Sequence, residues 1–243
     1  YLKDRPVVLT RVPRESPSVA AIRRAIAGRG WMVLRPALGT PTIQLDASWE
    51  EPQARFSSSF RSSFRRDERR AGGHGTVTYE IRSPGPDDPD EVDRLLDEAY
   101  DVEARSWKGE AGTALRVDRN LGRFFRQYAH AAAREGILRL AFLRIDGQPV
   151  AMQLAVEWQQ SLWLLKIGYD ARYARCSPGT LLMLHTVGDA ARRGLRTYEF
   201  LGSPAPWTEM WTRELRPHVD VLLYPWSLPG QLALLQDGAR VAR

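Results

Sequence analysis

Between residues 137 and 203, strand-like and helix-like hydrophobic patterns follow one another in a fixed order. This order constrains the fold more than any other feature of the sequence. Hydrophobic residues alternate with a period of two in three consecutive segments: Leu138–Ile145, Val150–Trp158 and Leu162–Gly168. Asp146-Gly147, a strong hairpin signal, joins the first two segments. A helical pattern from Ser177 to Gly194 and a strand-like run over Thr197–Leu201 follow. Three sequential antiparallel strands leading into a helix and a further strand predict an α/β domain.

The start of that helix has features of an anion site. Ser177 is suited to the N-cap, because its hydroxyl can accept from an unpaired backbone N–H, and Pro178 fits the first helical position. The helix then directs free N–H groups and the positive end of its dipole at residues 169–177, where Arg172 and Arg175 add positive charge. Such a terminus favours phosphate. The alternative interpretation is an ordinary capped helix after a strand.

Composition limits the class of protein without choosing a function. The chain has 243 residues, of which 43% are hydrophobic and 26% charged, as in globular proteins. With no apolar run of 18 residues and no recognisable signal peptide, we expect no transmembrane helix and a cytoplasmic protein. The net charge of +6 fits a polyanionic partner: nucleic acid, an anionic membrane surface or a phosphate-rich cofactor. Because the chain begins with Tyr1 instead of Met, we expect it to be a fragment or a trimmed chain.

Strong catalytic and metal motifs are missing from the sequence. It contains no P-loop, dinucleotide-binding glycine motif, G-x-S-x-G, H-E-x-x-H or C-x-x-C. Its four histidines are scattered without metal-ligand spacing, so no metal site is expected: His74, His130, His185 and His218.

An arginine-rich helix is predicted within Ser48–Ala71. Phe56, Phe60 and Phe64 are four residues apart and share one face of this helix. Five arginines occupy its C-terminal half: Arg61, Arg65, Arg66, Arg69 and Arg70. They can form a basic rim for an anionic ligand, although a solvated helix face is the favoured interpretation.

Five segments of the sequence carry a family resemblance: SFRRDERRA (Ser63–Ala71), SWKG (Ser106–Gly109), LRIDGQPVAMQLAV (Leu143–Val156), IGYDARYARCSPGTLLM (Ile167–Met183) and RTYEFLGS (Arg196–Ser203). Together they resemble the CelD/BioF2-like family of acetyltransferase domains, which are of the Gcn5-related N-acetyltransferase (GNAT) type and related to the Fem aminoacyltransferases. The resemblance implies a GNAT acyltransferase fold, a mixed central sheet with flanking helices, over residues 48–243. It also implies that residues 1–47 are part of a degenerate N-terminal GNAT-like copy.

The resemblance further implies acyl-CoA, such as acetyl-CoA, as co-substrate. The carrier enters where the strands before and after the helix splay apart, and its pyrophosphate lies at the helix N-terminus. The residues implied in cofactor binding are Arg172, Arg175, Ser177, Pro178, Gly179 and Thr180.

Acyl transfer to an amine requires a proton acceptor, stabilisation of an oxyanion and, for a thiolate, an acid. Glu199 occupies the position where the family usually has Asp, and can accept the amine proton; Tyr169 can protonate the thiolate. Alternation places Lys166 on the face of Leu162, at the cleft or at its edge. An ion pair for Glu199 and core packing for Tyr169 are the structural alternatives. Cys176, beside the helix N-terminus, is expected to have a lowered pKa, but no histidine partner supports a covalent mechanism.

Two pairs of residues are candidates for the substrate pocket. Trp107 and Lys108 belong to a loop that can cover the acceptor, or can anchor the loop itself. Trp207 and Trp211 can wall an acyl or acceptor pocket, or belong to the core. The same region departs from Fem-like enzymes, because it lacks the lysine that contacts phosphate or substrate there.

These sequence patterns and the family resemblance lead to three hypotheses of function. The first is an N-acyltransferase that moves an acyl group from acyl-CoA to the amine of a small molecule or biosynthetic intermediate by direct attack in a ternary complex. The second is a Fem-like transferase that uses aminoacyl-tRNA; the arginine run supports tRNA as a partner and the missing lysine opposes it. The third is a catalytically degenerate GNAT domain that serves as a binding module.

Overall fold

The computed structural model describes residues 4–106 and 115–241, which form a mixed α/β protein. The strands are β1 (Val7–Pro13), β2 (Gly30–Gln44), β3 (Val77–Arg82), β4 (Leu138–Ile145), β5 (Gln148–Trp158), β6 (Ser161–Tyr169), β7 (Thr197–Glu199) and β8 (Leu215–Pro225). The α-helices are α1 (Pro17–Ile26), α2 (Ser58–Gly72), α3 (Pro89–Ala104), α4 (Arg119–Arg134), α5 (Pro178–Arg192), α6 (Pro206–Glu209) and α7 (Leu228–Val241).

The chain divides into two compact units. Residues 43–201 form one, which we call the central unit, and residues 1–42 with 202–243 form the other, the terminal unit. This division differs from the predicted boundary at residue 47, because residues 202–243 join the N-terminal segment. The physical reason is strand pairing: β8 pairs antiparallel with both β1 and β2.

The central unit has the mixed sheet that the resemblance implies. Its strand order is β7-β6-β5-β4-β3, antiparallel throughout except for the parallel pair β6–β7. Helix α5 packs on one face of this sheet. Helices α3 and α4 cover the other face, where their apolar residues form a buried cluster with β4 and β5. The predicted order of meander, helix and strand is therefore confirmed.

Helix boundaries in the central unit agree with the sequence signals. The side chains of Asp88 and Asp118 cap α3 and α4 by accepting backbone N–H groups of the first turns. Helix α2 begins at Ser58, so Phe56 precedes it instead of lying on it. The Phe56 and Phe64 rings nevertheless pack together, with centroids 5.1 Å apart.

The terminal unit is a three-stranded sheet with helices α1 and α7. Valines of α1 and β8 share a small buried cluster, and the Tyr224 hydroxyl on β8 donates to Asp237 of α7 at 2.6 Å. The sequence predicts a break in the chain at Pro36, Gly39 and Pro41. Instead, these three residues lie inside β2. The strand tolerates them because its register with β8 shifts between Ala37 and Thr40.

Candidate functional site

Strands β6 and β7, at one end of the strand order of the central unit, separate after a short parallel pairing. They pair in parallel at three positions only: Ser161 with Thr197, Leu162 with Tyr198, and Trp163 with Glu199. Strand β6 then continues to Tyr169, whereas β7 ends at Glu199. The two strands therefore diverge after their first three residues, at the position where the sequence predicts a cleft.

A buried polar network holds β7 to its neighbours at this point. Tyr198 is fully buried, and its hydroxyl lies 3.1 Å from Gln153 Oε1 on β5 and 3.1 Å from Thr186 Oγ1 on α5. Burial raises the pKa of Tyr198, so the hydroxyl is neutral and donates. Because Tyr198 faces α5, alternation turns the adjacent Glu199 toward the face covered by α3 and α4.

Substituting Tyr198→Phe should lower the free energy of unfolding by about 1–3 kcal/mol, since Gln153 Oε1 and Thr186 Oγ1 lose a partner inside the protein. Urea unfolding followed by circular dichroism measures this difference. Tyr173→Phe, which removes only the hydroxyl of a half-buried ring on the loop before α5, is the matched control and should change stability by less than about 0.5 kcal/mol. Equal stabilities of Tyr198→Phe and wild type would contradict the role of the network.

The N-terminus of α5 lies beside the end of β6. Pro178 occupies the first helical position, as predicted. Ser177 is the N-cap, but its side chain makes no capping hydrogen bond, so that part of the prediction is wrong. Ser177 has a left-handed backbone (φ 46°, ψ 48°), and its carbonyl accepts from Thr180 N–H at 2.9 Å and Leu181 N–H at 3.1 Å. Within the described residues the Gly179 N–H has no protein acceptor, so it remains available to a ligand.

The ring of Tyr169 borders this helix terminus. A Cβ atom built on Gly179 would lie 3.7 Å from Tyr169 Cδ1, which is ordinary van der Waals distance. Tyr169 is thus on the α5 face of the sheet, opposite to Glu199. Two of the predicted catalytic residues therefore flank the point where β6 and β7 diverge, one on each face.

A buried carboxylate organises the loop between β6 and α5. Asp170 is 1% exposed, and it accepts from the backbone N–H of Arg172 at 3.0 Å, which caps the short 3-10 helix Ala171–Cys176. Arg172 Nη2 lies 2.7 Å and Arg105 Nε 2.8 Å from Asp170 Oδ2. Burial acts to raise the pKa of Asp170, but these hydrogen bonds and charges outweigh it, so the pKa is lowered.

The lowered pKa of Asp170 predicts a pH-dependent contribution to stability. The contribution is present above the unfolded-state pKa of about 3.9 and is lost as the pH falls through the lower folded-state pKa. Asp170→Asn should therefore cost about 1–2 kcal/mol at pH 7, a range that is reduced because the Arg172 side chain is mostly exposed. Urea unfolding at several pH values measures this cost, which should shrink in acid. A cost independent of pH would refute the assignment.

The predicted arginines of the loop have different surroundings. Arg172 is paired with Asp170, whereas the backbone carbonyl of Arg175 accepts from Arg70 Nη1 of α2 at 3.2 Å. This bond ties the basic end of α2 to the loop before α5. The side chains of Arg172, Arg175 and Arg70 are on the surface, so the loop carries positive charge on its solvent side.

Lys166 lies on the other face from the one that simple alternation predicts. Strand β6 contains one extra residue relative to β5, because Leu154 pairs with Lys166 while Ala155 pairs with Leu164. Leu162 faces α5, but Lys166 reaches the opposite face, with its Nζ 3.8 Å from Glu103 Oε1. The statement that Lys166 shares the face of Leu162 is therefore wrong, and the bulge is the cause.

Glu103 is a buried acid that the sequence analysis missed. It is 0% exposed at the end of α3, and its Oε2 accepts from Leu115 N–H at 2.9 Å. Gly168 of β6 allows its close approach, since a Cβ there would lie 3.0 Å from Glu103 Cα. Helical spacing could have indicated its burial, because Glu103 is four residues after Ala99 and continues the buried face of α3.

The remaining predicted residues are distributed as follows. Cys176 is buried, and burial together with the Asp67 charge raises its pKa, contrary to the lowered value expected beside a helix N-terminus. Trp211 is buried and Trp207 is exposed, both in the terminal unit. Trp107 and Lys108 lie outside the described residues. Among the residues that the structure describes, no group of three potential ligands could hold a metal ion.

Comparison with known proteins identifies the family. The sequence matches the family model described as "Acetyltransferase (GNAT) domain" over residues 58–209. This chain belongs to the GNAT acetyltransferase domain family. The match includes the divergent strands, α5 and Glu199, so the site lies within the family's own domain. A search of curated protein sequences finds no match to the chain.

Solved structures show the same fold at low sequence identity. The C-terminal domain of a candidate lysylphosphatidylglycerol synthetase from Agrobacterium fabrum is 12% identical with a TM-score of 0.57, over 89% of this chain and 67% of that chain. L-PGS from Bacillus licheniformis is 12% identical with a TM-score of 0.52, over 94% and 71%. FemX is also 12% identical with a TM-score of 0.52, over 95% and 74%. These similarities show that the chain shares its fold with these proteins, FemX among them.

Proposed function

We propose that this chain is an N-acyltransferase that uses acyl-CoA and transfers the acyl group directly to the amine of a small molecule or biosynthetic intermediate. The observation that carries the proposal is the separation of β6 and β7 beside the N-terminus of α5. The gap between diverging strands accepts an extended chain, and the free N–H at Gly179 with the adjacent helix dipole accepts phosphate.

The two faces of the sheet suit the two proton transfers of the reaction. The amine nitrogen attacks the thioester carbonyl, the C–N bond forms, and the C–S bond breaks when the tetrahedral intermediate collapses. Glu199 on one face takes the proton that the amine loses, and Tyr169 on the other face gives a proton to the departing thiolate. A thioester lying between the strands would thus meet a base and an acid from opposite sides.

Thermal unfolding with acetyl-CoA and longer acyl-CoAs tests binding. A ligand at a hundred times its Kd stabilises the folded state by about 2.7 kcal/mol, which for a chain of this length raises Tm by about 5–10 °C. Gly179→Glu should abolish the shift, because it adds bulk and negative charge at the helix terminus. Gly179→Ala is the matched control and should retain the shift, since its Cβ meets Tyr169 only at 3.7 Å.

A second measurement distinguishes an enzyme from a binding module. A thiol reagent detects free CoA when the protein is mixed with acyl-CoA and a panel of amines. Amine-dependent release of thiol supports acyl transfer. A thermal shift without any release across the panel supports the degenerate module, and no shift with any acyl-CoA contradicts the proposal.

The aminoacyl-tRNA-dependent reaction is a second candidate because of one contact. Arg70 of α2 bonds the loop before α5, so the exposed arginines of α2 continue the positive surface of that loop. Binding of tRNA that weakens steeply with salt would favour this candidate. Absent or salt-insensitive binding would exclude it.

A further inference from the structure

The net charge of the protein is concentrated in the terminal unit. Residues 1–42 and 202–243 contain 12 Lys and Arg but 6 Asp and Glu, whereas residues 43–201 contain 23 of each. The whole excess of +6 therefore belongs to the terminal unit, and the central unit, which carries the candidate acyltransferase site, is neutral. A net positive charge confined to one unit favours contact of that unit with an anionic surface.

The terminal unit also exposes a group of large apolar side chains, which we call the Trp-Leu patch. Its members are Trp31 (59% exposed), Trp226 (55%), Leu228 (73%), Leu232 (50%) and Leu235 (70%). The three leucines are spaced by four and three residues and so share one face of α7. Leu235, Trp31 and Trp226 together line an open cavity of about 510 Å³. The patch is thus continuous from the helix to both indole rings.

Arginines lie at the border of the Trp-Leu patch. The backbone carbonyl of Arg29 accepts from the backbone N–H of Trp226 at 2.9 Å, so these two residues are neighbours. The Ser227 hydroxyl donates to the Asp4 carbonyl at 2.7 Å, which brings the neighbouring Arg5 to the same end of α7. Both arginines are exposed. Their guanidinium groups are free to meet phosphate while the leucines and indoles meet an apolar phase.

We propose that the terminal unit binds the surface of an anionic lipid bilayer through the Trp-Leu patch and its bordering arginines. Indole rings prefer the headgroup level of a membrane, an exposed leucine face partitions into the acyl boundary, and arginines attract anionic headgroups. A second copy of the chain fits this surface less well, because two units of the same positive charge repel each other. Among the described residues no helix is long and apolar enough to cross a bilayer, so the attachment is to one leaflet.

Vesicle cosedimentation of the full chain tests the proposal. The protein should sediment at low salt with vesicles in which phosphatidylglycerol is about a third of the lipid, and much less with phosphatidylcholine alone. The triple variant Leu228→Ser, Leu232→Ser, Leu235→Ser should lower the partition coefficient about tenfold or more. Arg5→Gln with Arg29→Gln should weaken binding and reduce its dependence on salt. Trp158→Gln, an indole 54% exposed on the central unit, is the matched control and should bind as the wild type does.

A second measurement locates the contact without altering the leucines. Brominated acyl chains should quench part of the tryptophan fluorescence, and Trp31→Phe with Trp226→Phe should remove most of that quenching. No sedimentation with the anionic vesicles, or binding unchanged in the leucine variant, would overturn the proposal. It would also be overturned if the wild type forms dimers that the leucine variant loses while neither binds vesicles, since the patch would then join two copies.

Discussion

Replacing Glu199 with glutamine is expected to lower kcat about 10²–10⁴-fold, the range contributed by a positioned general base. Glutamine has nearly the same shape but cannot take the proton from the attacking amine. Glu199 is 0% exposed at the end of β7, where pairing with β6 stops, so the carboxylate is fixed by the strand. Steady-state rates with acyl-CoA and the best amine of the panel measure the effect.

Two controls separate a catalytic from a structural effect of Glu199→Gln. The Tm shift with acyl-CoA should remain as in the wild type, because the helix terminus proposed to bind the carrier is unchanged. Glu199→Asp should recover part of the rate, because it restores a carboxylate at this position. If glutamine leaves kcat unchanged, Glu199 is not the base.

Removing the Glu103 side chain is expected to produce the largest loss of stability. Its Oε2 accepts from Leu115 N–H at 2.9 Å, and its Oε1 lies 3.8 Å from Lys166 Nζ. Glu103→Ala deprives both groups of this carboxylate, which is 0% exposed, while the Lys166 side chain is 18% exposed. Taking away one partner of a buried pair costs about 3–5 kcal/mol, which urea unfolding measures through the midpoint.

Glu103→Gln is the matched variant for this prediction. Glutamine can still accept from Leu115 N–H but carries no charge opposite Lys166, so its cost should fall between wild type and alanine. The difference between glutamine and alanine then isolates the hydrogen bond from the ion pair. An alanine variant as stable as wild type would contradict the structural role of Glu103.

The sequence predicts the fold where local periodicity and distant packing agree. The three period-two segments, the Asp146-Gly147 turn and the capped starts of α3 and α4 depend on neighbours within a few residues. Pro178 at the start of α5 is a local signal of the same kind. Glu199 is singled out by the resemblance to a family, and its role in catalysis stays a prediction.

Features that depend on tertiary contacts could not be predicted in this way. One extra residue near Leu165 turns Lys166 to the opposite face, and nothing in the local pattern marks such a bulge. Ser177 has a left-handed backbone, and its carbonyl, instead of its side chain, accepts from the N–H groups of the first turn of α5. The pairing of β8 with β1 and β2 joins segments at opposite ends of the sequence, which no local period can encode.

That last pairing sets the order in which the protein can be completed as it leaves the ribosome. All residues of the central unit are synthesised before β8 exists, so its sheet can close while the chain is still growing. The terminal unit cannot form until its C-terminal part has been synthesised. Arg11 N–H, for example, donates to Asp220, which is 209 residues further along the chain. Until β8 arrives, β1 and β2 have unpaired edges and α1 has no sheet to cover. Because this pairing closes a long loop, we expect the terminal unit to form late and its unpaired strand edges to favour aggregation until then.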